Sequence, residues 1–201
     1  METKENKNNL ASIATTSNLI KIARKHFSTY GFEKTSLEAI VKEVNMTRGA
    51  LYHHFKNKKE LFLAVLSQVQ NEVGENVEKE AMTSKDVWEQ LILGCIGFVE
   101  AATLESNKRI LLIDSLNVVE WEDWRKMDDE NSVTLLKEQL EDVKESGVLV
   151  NLDTTLIAHM ISGALNDLSL HLAESEMINK EEMYEYINHL LKGFKVNENE
   201  S

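Results

Sequence analysis

Residues 35–61 read TSLEAIVKEVNMTRGALYHHFKNKKEL, and this stretch decides the fold. It predicts two short helices separated at Asn45-Met46, followed by a third helix that starts near Lys58. A short helix, a turn of three or four residues and a second short helix form the geometry that places one helix in the major groove of DNA. The stretch therefore predicts a helix-turn-helix that reads DNA.

Capping sequences divide this stretch into helices. Thr35 is followed three residues later by Glu38, which forms a capping box in which hydroxyl and carboxylate satisfy N–H groups at the helix start. Thr47 can cap the second helix, and Asn57 can begin another capping box at the start of the third helix. Three helix starts at this spacing predict a compact domain of short helices.

The second short helix carries residues that an isolated helix does not favour. Gly49 costs about 1 kcal/mol relative to alanine, and Arg48 is a cation at the N-terminus, where the macrodipole disfavours it. Leu51 and Phe55, four residues apart, are sufficient to face a core, so residues 52–54 face elsewhere. DNA as an outside partner explains this composition, and three packed helices without a ligand are the alternative.

The same residues carry a resemblance to a known family. Between about residues 18 and 66, the first third of the chain, the sequence resembles the DNA-binding domain of the TetR family of bacterial transcriptional repressors. The matching positions are Leu19-Ile20, Ala23-Arg24, Phe27, Tyr30-Gly31-Phe32, Thr35-Ser36-Leu37, Ile40-Val41, Val44, Thr47-Arg48-Gly49-Ala50-Leu51-Tyr52, His54-Phe55, Lys56-Asn57-Lys58 and Glu60-Leu61-Phe62. The remainder resembles the family in helical character and length.

Base readout is expected from the start of the second short helix. Arg48 is the best candidate, because a guanidinium can donate two hydrogen bonds to guanine O6 and N7. Gly49 and Ala50 are expected to meet base edges or a thymine methyl, and His53 to reach the groove from the next turn.

Phosphate contacts are expected on both sides of the reading helix. Thr35 and Ser36, with the N–H groups at the start of the fourth helix, suit phosphate anchoring, and Lys56 adds a nonspecific contact. The resemblance implies that Tyr52, His54 and Lys58 bind phosphate or flank the reading helix. The complete set of predicted DNA contacts is Thr35, Ser36, Thr47, Arg48, Gly49, Ala50, Tyr52, His53, His54, Lys56 and Lys58.

Composition predicts an all-α fold. The 201 residues include no proline, only 8 glycines and 42% hydrophobic residues. The chain therefore lacks the frequent turn-forming residues that separate the strands of an all-β protein. We expect an N-terminal three-helix helix-turn-helix DNA-binding domain followed by a larger helical ligand-binding and dimerisation domain, with about nine helices in total.

The predicted division of the chain is a disordered arm over 1–15, the helix-turn-helix domain over 16–57, the helical effector-binding and dimerisation domain over 58–195, and a disordered tail over 196–201. Besides the two short helices, helices are expected at about 16–30, 58–80, 84–102, 105–117, 121–145, 154–173 and 180–194. The first and seventh end at Gly31 and Gly147, and the ninth begins with a capping box at Asn179.

Charge is segregated along the chain. The net charge is −12, yet the first 66 residues hold 11 Lys and Arg against 6 Asp and Glu, while the rest hold 11 against 28. DNA affinity depends on local phosphate neutralisation, so a basic head on an acidic body is compatible with DNA binding. Double-stranded DNA with a palindromic operator sequence is therefore the expected partner.

Cysteine content and hydropathy indicate a cytoplasmic protein. The single Cys95 excludes a disulfide within the chain and suits a reducing compartment. No apolar run approaches the roughly 18 residues needed to cross a bilayer, and residues 1–9 are too polar for a signal peptide. We expect no membrane association.

The last two helices are expected to form a homodimer interface. Both carry apolar stripes, and a two-fold pair of helix-turn-helix units reads a palindrome. The resemblance implies a four-helix bundle formed by these helices of two copies; the alternative is that the stripes are core. The predicted interface residues are Leu156, Met160, Ala164, Leu168, Tyr186, Ile187, Leu190 and Phe194.

The resemblance also implies a small apolar or amphipathic effector inside the helical domain, whose binding shifts the fourth helix. The effector itself is not identified by the sequence. Core packing is the alternative for each candidate, although a buried Asn166 would need a polar partner. The candidate pocket residues are Trp88, Cys95, Phe98, Trp121, Trp124, Met127, His159, Asn166 and His171.

An enzyme is the competing class. The sequence has no Gly-rich phosphate loop, His-Glu-x-x-His or Gly-x-Ser-x-Gly motif, and no Glu-x-x-His pair for a di-metal bundle. We therefore expect no catalytic residues, no metal and no cofactor. A DNA-binding helical protein without an effector is the second alternative. The sequence favours a transcriptional regulator, with repression expected from the resemblance.

Overall fold

Helices make up almost all of the computed structural model, which describes residues 2–120, 122, 127, 133–174 and 179–196, with backbone only for 2–11. In these residues the helices are α1 (Glu2–Lys34), α2 (Leu37–Glu43), α3 (Arg48–His54), α4 (Lys58–Ala81), α5 (Val87–Thr103), α6 (a π-helix, Arg109–Asp114, continuing as Ser115–Val118), α7 (Thr134–Glu145), α8 (Thr154–Glu174) and α9 (Lys180–Lys192). An isolated antiparallel bridge joins Leu149 to Lys195. The predicted all-α class is confirmed.

Helix α1 is longer than predicted. It begins at Glu2, so helical backbone replaces the expected disordered arm, in agreement with a segment that has no proline or glycine to stop a helix. Gly31 interrupts it with φ 80° and ψ 166°, a conformation that glycine adopts easily, and the chain then continues to Lys34. The first helix was predicted to end at Gly31, and the structure places this kink there, with three further helical residues after it.

Three of the predicted N-caps are confirmed, and one is wrong. The side-chain oxygens of Thr47, Asn57 and Asn179 accept hydrogen bonds from the first turns of α3, α4 and α9. The N-cap of α2 is Ser36 and not Thr35, because Thr35 is buried and its hydroxyl donates to the Gly31 carbonyl over 2.7 Å.

The head, α1–α3, shares its core with the body, α4–α9. Phe27 of α1 meets Phe62 of α4 edge to face with ring centroids 5.2 Å apart, and Leu51 of α3 is fully buried in the same cluster. Ile110 of α6 and Ala101 of α5 belong to this cluster too. Packing is therefore continuous across the predicted domain boundary at residue 57.

Helix α5 forms the centre of the body. Its apolar residues are buried against α4, α7, α8 and α9. A Cβ atom on Gly97 would lie 3.0 Å from Glu80 Cβ, and Asn76 Nδ2 donates to the Gly97 carbonyl over 2.8 Å. Glycine at this position thus lets α4 and α5 approach closely, which fixes the direction of α4 as it leaves the head.

Candidate nucleic-acid interface

Helix α3 presents an exposed polar face. Leu51 and Phe55 are 0% and 7% exposed and anchor the helix to the core at i and i+4, as predicted. Thr47, Arg48, Gly49, Tyr52 and His53 are exposed, and Ala50 and His54 are half-buried. The structure thus brings seven of the predicted DNA-contact residues together on one short helix and its cap.

Arg48 connects α3 to α2 in the free protein. Its guanidinium lies 2.8 Å from Glu38 Oε1 and donates to the Tyr52 hydroxyl over 3.3 Å. The pKa of Glu38 is lowered, first by a hydrogen bond from Ser36, then by its own backbone and by Arg48. A DNA contact by Arg48, as predicted, would therefore require the guanidinium to leave Glu38. Sequence reasoning missed this partner; the available signal was an acidic residue in α2, one helix before α3.

Gly49 faces open space. A Cβ atom there would meet only Thr47 Oγ1, at 4.0 Å, and the backbone does not require glycine, since its φ is not positive. No packing within the described chain explains the absence of a side chain. The open space beside Gly49 would admit close approach by an outside partner.

Of the two residues expected to anchor phosphate before α2, only Ser36 is accessible. Thr35 is 4% exposed, and its hydroxyl donates to the carbonyls of Gly31 and His26. The burial of Thr35 does not fit the expected phosphate contact through its side chain. Ser36 is exposed and donates to Glu38 Oε2 over 2.8 Å.

Lys58 points into the protein and not toward an exposed surface. Its ammonium donates to the carbonyls of Phe32, Glu33 and Thr35 over 2.7, 3.2 and 3.2 Å. It also lies 4.5 Å from the centroid of the Phe32 ring. All three N–H donors are used, so the expected phosphate contact by Lys58 is corrected: the side chain caps the C-terminal end of α1.

Two other basic residues of the predicted set differ in their surroundings. His54 Nδ1 lies 3.0 Å from Thr16 Oγ1, which attaches the end of α3 to α1. Lys56 is exposed, with only its backbone N–H engaged, by Glu60 Oε2 over 2.7 Å. The ammonium of Lys56 is therefore accessible to a phosphate beside α3.

Polar contacts join the head to the body. Arg24 donates two hydrogen bonds of 2.6 Å to the Glu72 carboxylate and a third to Asn107 Oδ1. The Phe32 N–H donates to Asp114 Oδ2 over 2.7 Å, and Arg109 donates to the Thr29 carbonyl over 3.2 Å. Helix α1 is thus hydrogen-bonded to α4 and to α6.

The body contains a cavity of about 630 Å³ lined by α4, α5, α7 and α8. Cys95 and Phe98 of the predicted pocket set line it. Burial raises the pKa of Cys95 to about 12, so its thiol is neutral at physiological pH.

The other predicted pocket residues with described side chains do not line this cavity. Trp88 is buried in the body core beneath the Lys195 ammonium, 5.2 Å from its ring centroid, and Met127 packs against the core shared with the head. Asn166 donates to Ser162 Oγ at 3.5 Å and, like His159 and His171, lies outside the lining. Trp121 and Trp124 lie outside the described residues.

Sequence reasoning missed most of the cavity, because its walls come from the apolar faces of helices assigned to the core. Helix α4 contributes residues from Gln70 to Ala81, followed by Met82 just after it, and α7 contributes residues from Leu135 to Asp142. Gly74 was an available signal: a Cβ there would lie 3.5 Å from Leu135, so the missing side chain opens space between α4 and α7.

Two family models match the chain. Residues 19–65 match the model described as bacterial regulatory proteins of the tetR family, and residues 88–194 match the tetracyclin repressor-like C-terminal domain. The second match alone covers more than half of the chain. The protein belongs to the TetR family.

Relatives of this TetR-family protein include the HTH-type transcriptional regulator AcrR of Shigella flexneri, 32% identical over 49% of this chain and 46% of AcrR. A probable acrEF/envCD operon repressor of Escherichia coli is 43% identical over 25% of this chain and 23% of its own length. The chain thus spans less than half the length of these two curated relatives.

Solved structures agree over nearly the whole chain. A TetR-family regulator from Pectobacterium atrosepticum is 30% identical with a TM-score of 0.76, covering 92% of this chain and 95% of that one. The fatty acid degradation regulator FadR of Bacillus halodurans has the same fold, with a TM-score of 0.73 at 18% identity over 89% and 95% of the two chains. The chain therefore has the TetR-family fold over nearly its whole length.

An exposed apolar stripe lies along α8 and α9 of this TetR-family protein. Leu156, Met160, Tyr186 and Leu190 are between 43% and 63% exposed. Ile187 is 1% exposed and faces the body core, so its expected interface position is corrected. Ala164, Leu168 and Phe194 are half-buried, and the latter two pack against the body core.

Two searches of the described residues were negative. No described helix is long and apolar enough to cross a membrane. Within the same part of the chain, no group of three or more His, Cys, Asp or Glu side chains is arranged to hold a metal ion.

Proposed function

We propose that this TetR-family protein represses transcription by binding a palindromic operator as a homodimer, and that a small molecule in the body cavity releases it. The observation that carries the proposal is the exposed face of α3, on which Arg48, Tyr52 and His53 surround an open Gly49. The head bearing this face is basic, while the rest of the chain is acidic.

The proposed DNA contacts follow from accessibility. Arg48 reads a guanine after leaving Glu38, and Gly49 and Ala50 admit base edges. Ser36 and Lys56 have exposed side chains on either side of α3 and contact phosphate.

The proposed dimer uses the stripe on α8 and α9. On α8, Leu156, Met160 and Gly163 follow one another at i, i+4 and i+7. The same spacing relates Tyr186 and Leu190 of α9 to Gly193, the residue just after this helix. A Cβ added to either glycine would contact nothing within 4 Å. Two such stripes facing each other across a two-fold axis form a four-helix interface in which the glycines permit close approach.

The proposed release acts through α4 and α6. Residues 70–82 of α4 line or flank the cavity, while Lys58 at its other end caps α1. An effector that separates α4 from α7 displaces this cap together with the Arg24–Glu72 pair. The spacing of the two heads then no longer matches the operator half-sites.

Selection of bound DNA from a random pool tests the proposal, with the affinity of the recovered sequence measured at two salt concentrations. We expect a palindrome bound much more tightly than random DNA. Binding without a common sequence, or no binding, would contradict specific repression.

Two variants test the base-reading residue. Arg48→Ala is expected to weaken operator binding by about 1–3 kcal/mol and to relax one operator position. Glu38→Gln is the matched partner variant: it frees Arg48 and removes a negative charge facing DNA, so binding should tighten. Equal weakening of operator and random DNA by Arg48→Ala would exclude base readout by this residue.

A further inference from the structure

The interior of the body cavity is apolar. Its walls include Val73, Val77, Leu91, Phe98 and Leu165 from three helices. Val73, Leu91 and Leu165 are at most 4% exposed, so these side chains present a fixed hydrophobic surface rather than a solvated one. An occupant must therefore carry a substantial apolar part to gain from burial.

The rim of the same cavity is acidic. Glu75 and Glu78 lie on α4, and Glu138 and Asp142 lie on α7, so two carboxylates stand on each of two facing helices. All four residues are exposed, and no described Lys or Arg pairs with them. The described lining contains no Lys, Arg or His. The negative charge at this opening is thus left without a compensating cation from the described chain.

Two side chains of the cavity wall could interact with a cation. Gln70 lines the wall, and its Oε1 atom is buried without a hydrogen-bond donor in the described protein. That atom is not exposed to the cavity in this structure, so it would meet an occupant only after the side chain changes rotamer. The ring of Phe98, which is half-buried in the same wall, offers a π face that also favours a cation.

We propose that the cavity binds an apolar organic cation. This inference rests on the proposed function, since it specifies the chemical class of the effector at that same site. The apolar walls select a bulky ion whose charge is weakly hydrated, while the four carboxylates at the rim select its sign. A fatty acid or another apolar anion is disfavoured by the same groups.

Two ions of equal shape and opposite charge test the sign. Binding of tetraphenylphosphonium and of tetraphenylborate to the full chain is measured by calorimetry at low and high salt. We expect the cation to bind at least about tenfold more tightly, and the difference to shrink at high salt because the carboxylates are solvent-exposed. Equal affinities, tighter binding of the anion, or binding of neither ion would overturn the proposal.

Net charge needs a control, because a chain of −12 attracts cations everywhere. Glu138→Gln and Glu145→Gln remove the same charge from the same helix, but only Glu138 lines the cavity. We expect Glu138→Gln to weaken tetraphenylphosphonium binding about threefold and Glu145→Gln to leave it unchanged. An equal effect of both variants would mean that the preference for cations does not arise at this cavity.

Different experimental outcomes would contradict the proposed ligand class and the proposed repressor function. Cation-selective binding that is weakened in Glu138→Gln and unchanged in Glu145→Gln supports the inference, even if the operator–protein affinity does not respond to tetraphenylphosphonium. Such a lack of response would instead contradict effector release. Failure to recover an operator bears on DNA recognition alone, because the calorimetric measurement contains no DNA.

Discussion

The backbone N–H of Phe32 donates a 2.7 Å hydrogen bond to Asp114 Oδ2, across 82 residues of sequence. Phe32 directly follows the bend at Gly31, and Asp114 ends the π-helical part of α6. Arg109 packs against the same bend, since a Cβ on Gly31 would lie 3.0 Å from its Nε. The end of α1 is thus held from the body, by a helix whose wide turn is common at functional positions.

Removal of the Asp114 carboxylate is expected to uncouple the two parts of the protein. Asp114→Ala leaves the Phe32 N–H without its acceptor, which costs about 1 kcal/mol, but it removes no DNA contact. We expect operator affinity within about threefold of wild type and a smaller loss of affinity on effector binding. Asn117→Ala, whose side chain bonds only within its own helix, is the control. Unchanged release by the effector in Asp114→Ala would contradict this role.

Lys56 and Lys58 are two residues apart and are expected to behave differently. Lys58→Ala removes the donor to two carbonyls at the end of α1 and to that of Thr35, so we expect a loss of about 1–3 kcal/mol in unfolding free energy. Lys56→Ala removes an exposed cation, so stability should hold while the slope of log affinity against log salt falls by about 1. Thermal melts and salt titrations separate the two effects. If Lys58→Ala had normal stability and a reduced salt slope, Lys58 would contact DNA and would not act mainly as the cap of α1.

Gly49→Ala separates stability from DNA binding. The added methyl meets only open space within the protein, so helix propensity should stabilise α3 by up to about 1 kcal/mol. The same methyl would stand between α3 and the bases, so we expect operator binding to weaken by about 1–3 kcal/mol. Chemical denaturation and a binding titration measure the two quantities on one sample. Operator affinity equal to wild type would show that Gly49 is not a point of close approach.

Sequence patterns were informative where local chemistry decides the structure. Thr47 and Asn57 cap helices as predicted, because a cap depends on residues within one turn. The assignment failed at Thr35, whose hydroxyl bonds back to the Gly31 carbonyl four residues earlier, so that the cap moves to Ser36. Lys58 was misassigned for a different reason: its partners lie more than 20 residues away and leave no local signal.

The cavity was much less accessible to sequence reasoning. Phe98 and Cys95 were identified as aromatic and sulfur side chains in an apolar helix, but similar reasoning also selected Trp88, which the structure places in the core. Gln70 and Glu138 were overlooked, since a polar residue on a helix is usually solvated. Their position beside a cavity depends on how α4 and α7 are arranged, which the periodicity of either helix does not specify.

Charge on the α8–α9 stripe is expected to disrupt the dimer. Met160 is 63% exposed at the centre of the proposed interface. Because the dimer is two-fold symmetric, a carboxylate at this position would be buried in the interface by both protomers. We expect Met160→Glu to be monomeric by analytical ultracentrifugation and to lose most operator affinity while its helical circular dichroism is retained. Leu104→Glu, at an exposed apolar residue just after α5, is the control. A dimeric Met160→Glu would place the interface elsewhere.

Acid should weaken the link between α1 and α4. The hydrogen bonds from Arg24 lower the pKa of Glu72, with Gln68 adding a smaller effect in the same direction. Because the pKa is lower in the folded state, the stabilisation is complete above the ordinary value of 4.5 and is lost as the pH falls below it. Glu72→Gln should therefore lower the free energy of unfolding by about 1 kcal/mol at neutral pH, a modest value because the ion pair is partly exposed. On acidification, the variant should lose less further stability than the wild type.

Urea denaturation at neutral pH and at about pH 3.5 measures the free energy of unfolding of both proteins, with the exposed Glu145→Gln as the control. If Glu72→Gln and wild type lost equal stability between the two pH values, the carboxylate would not be the titrating group that joins the helices.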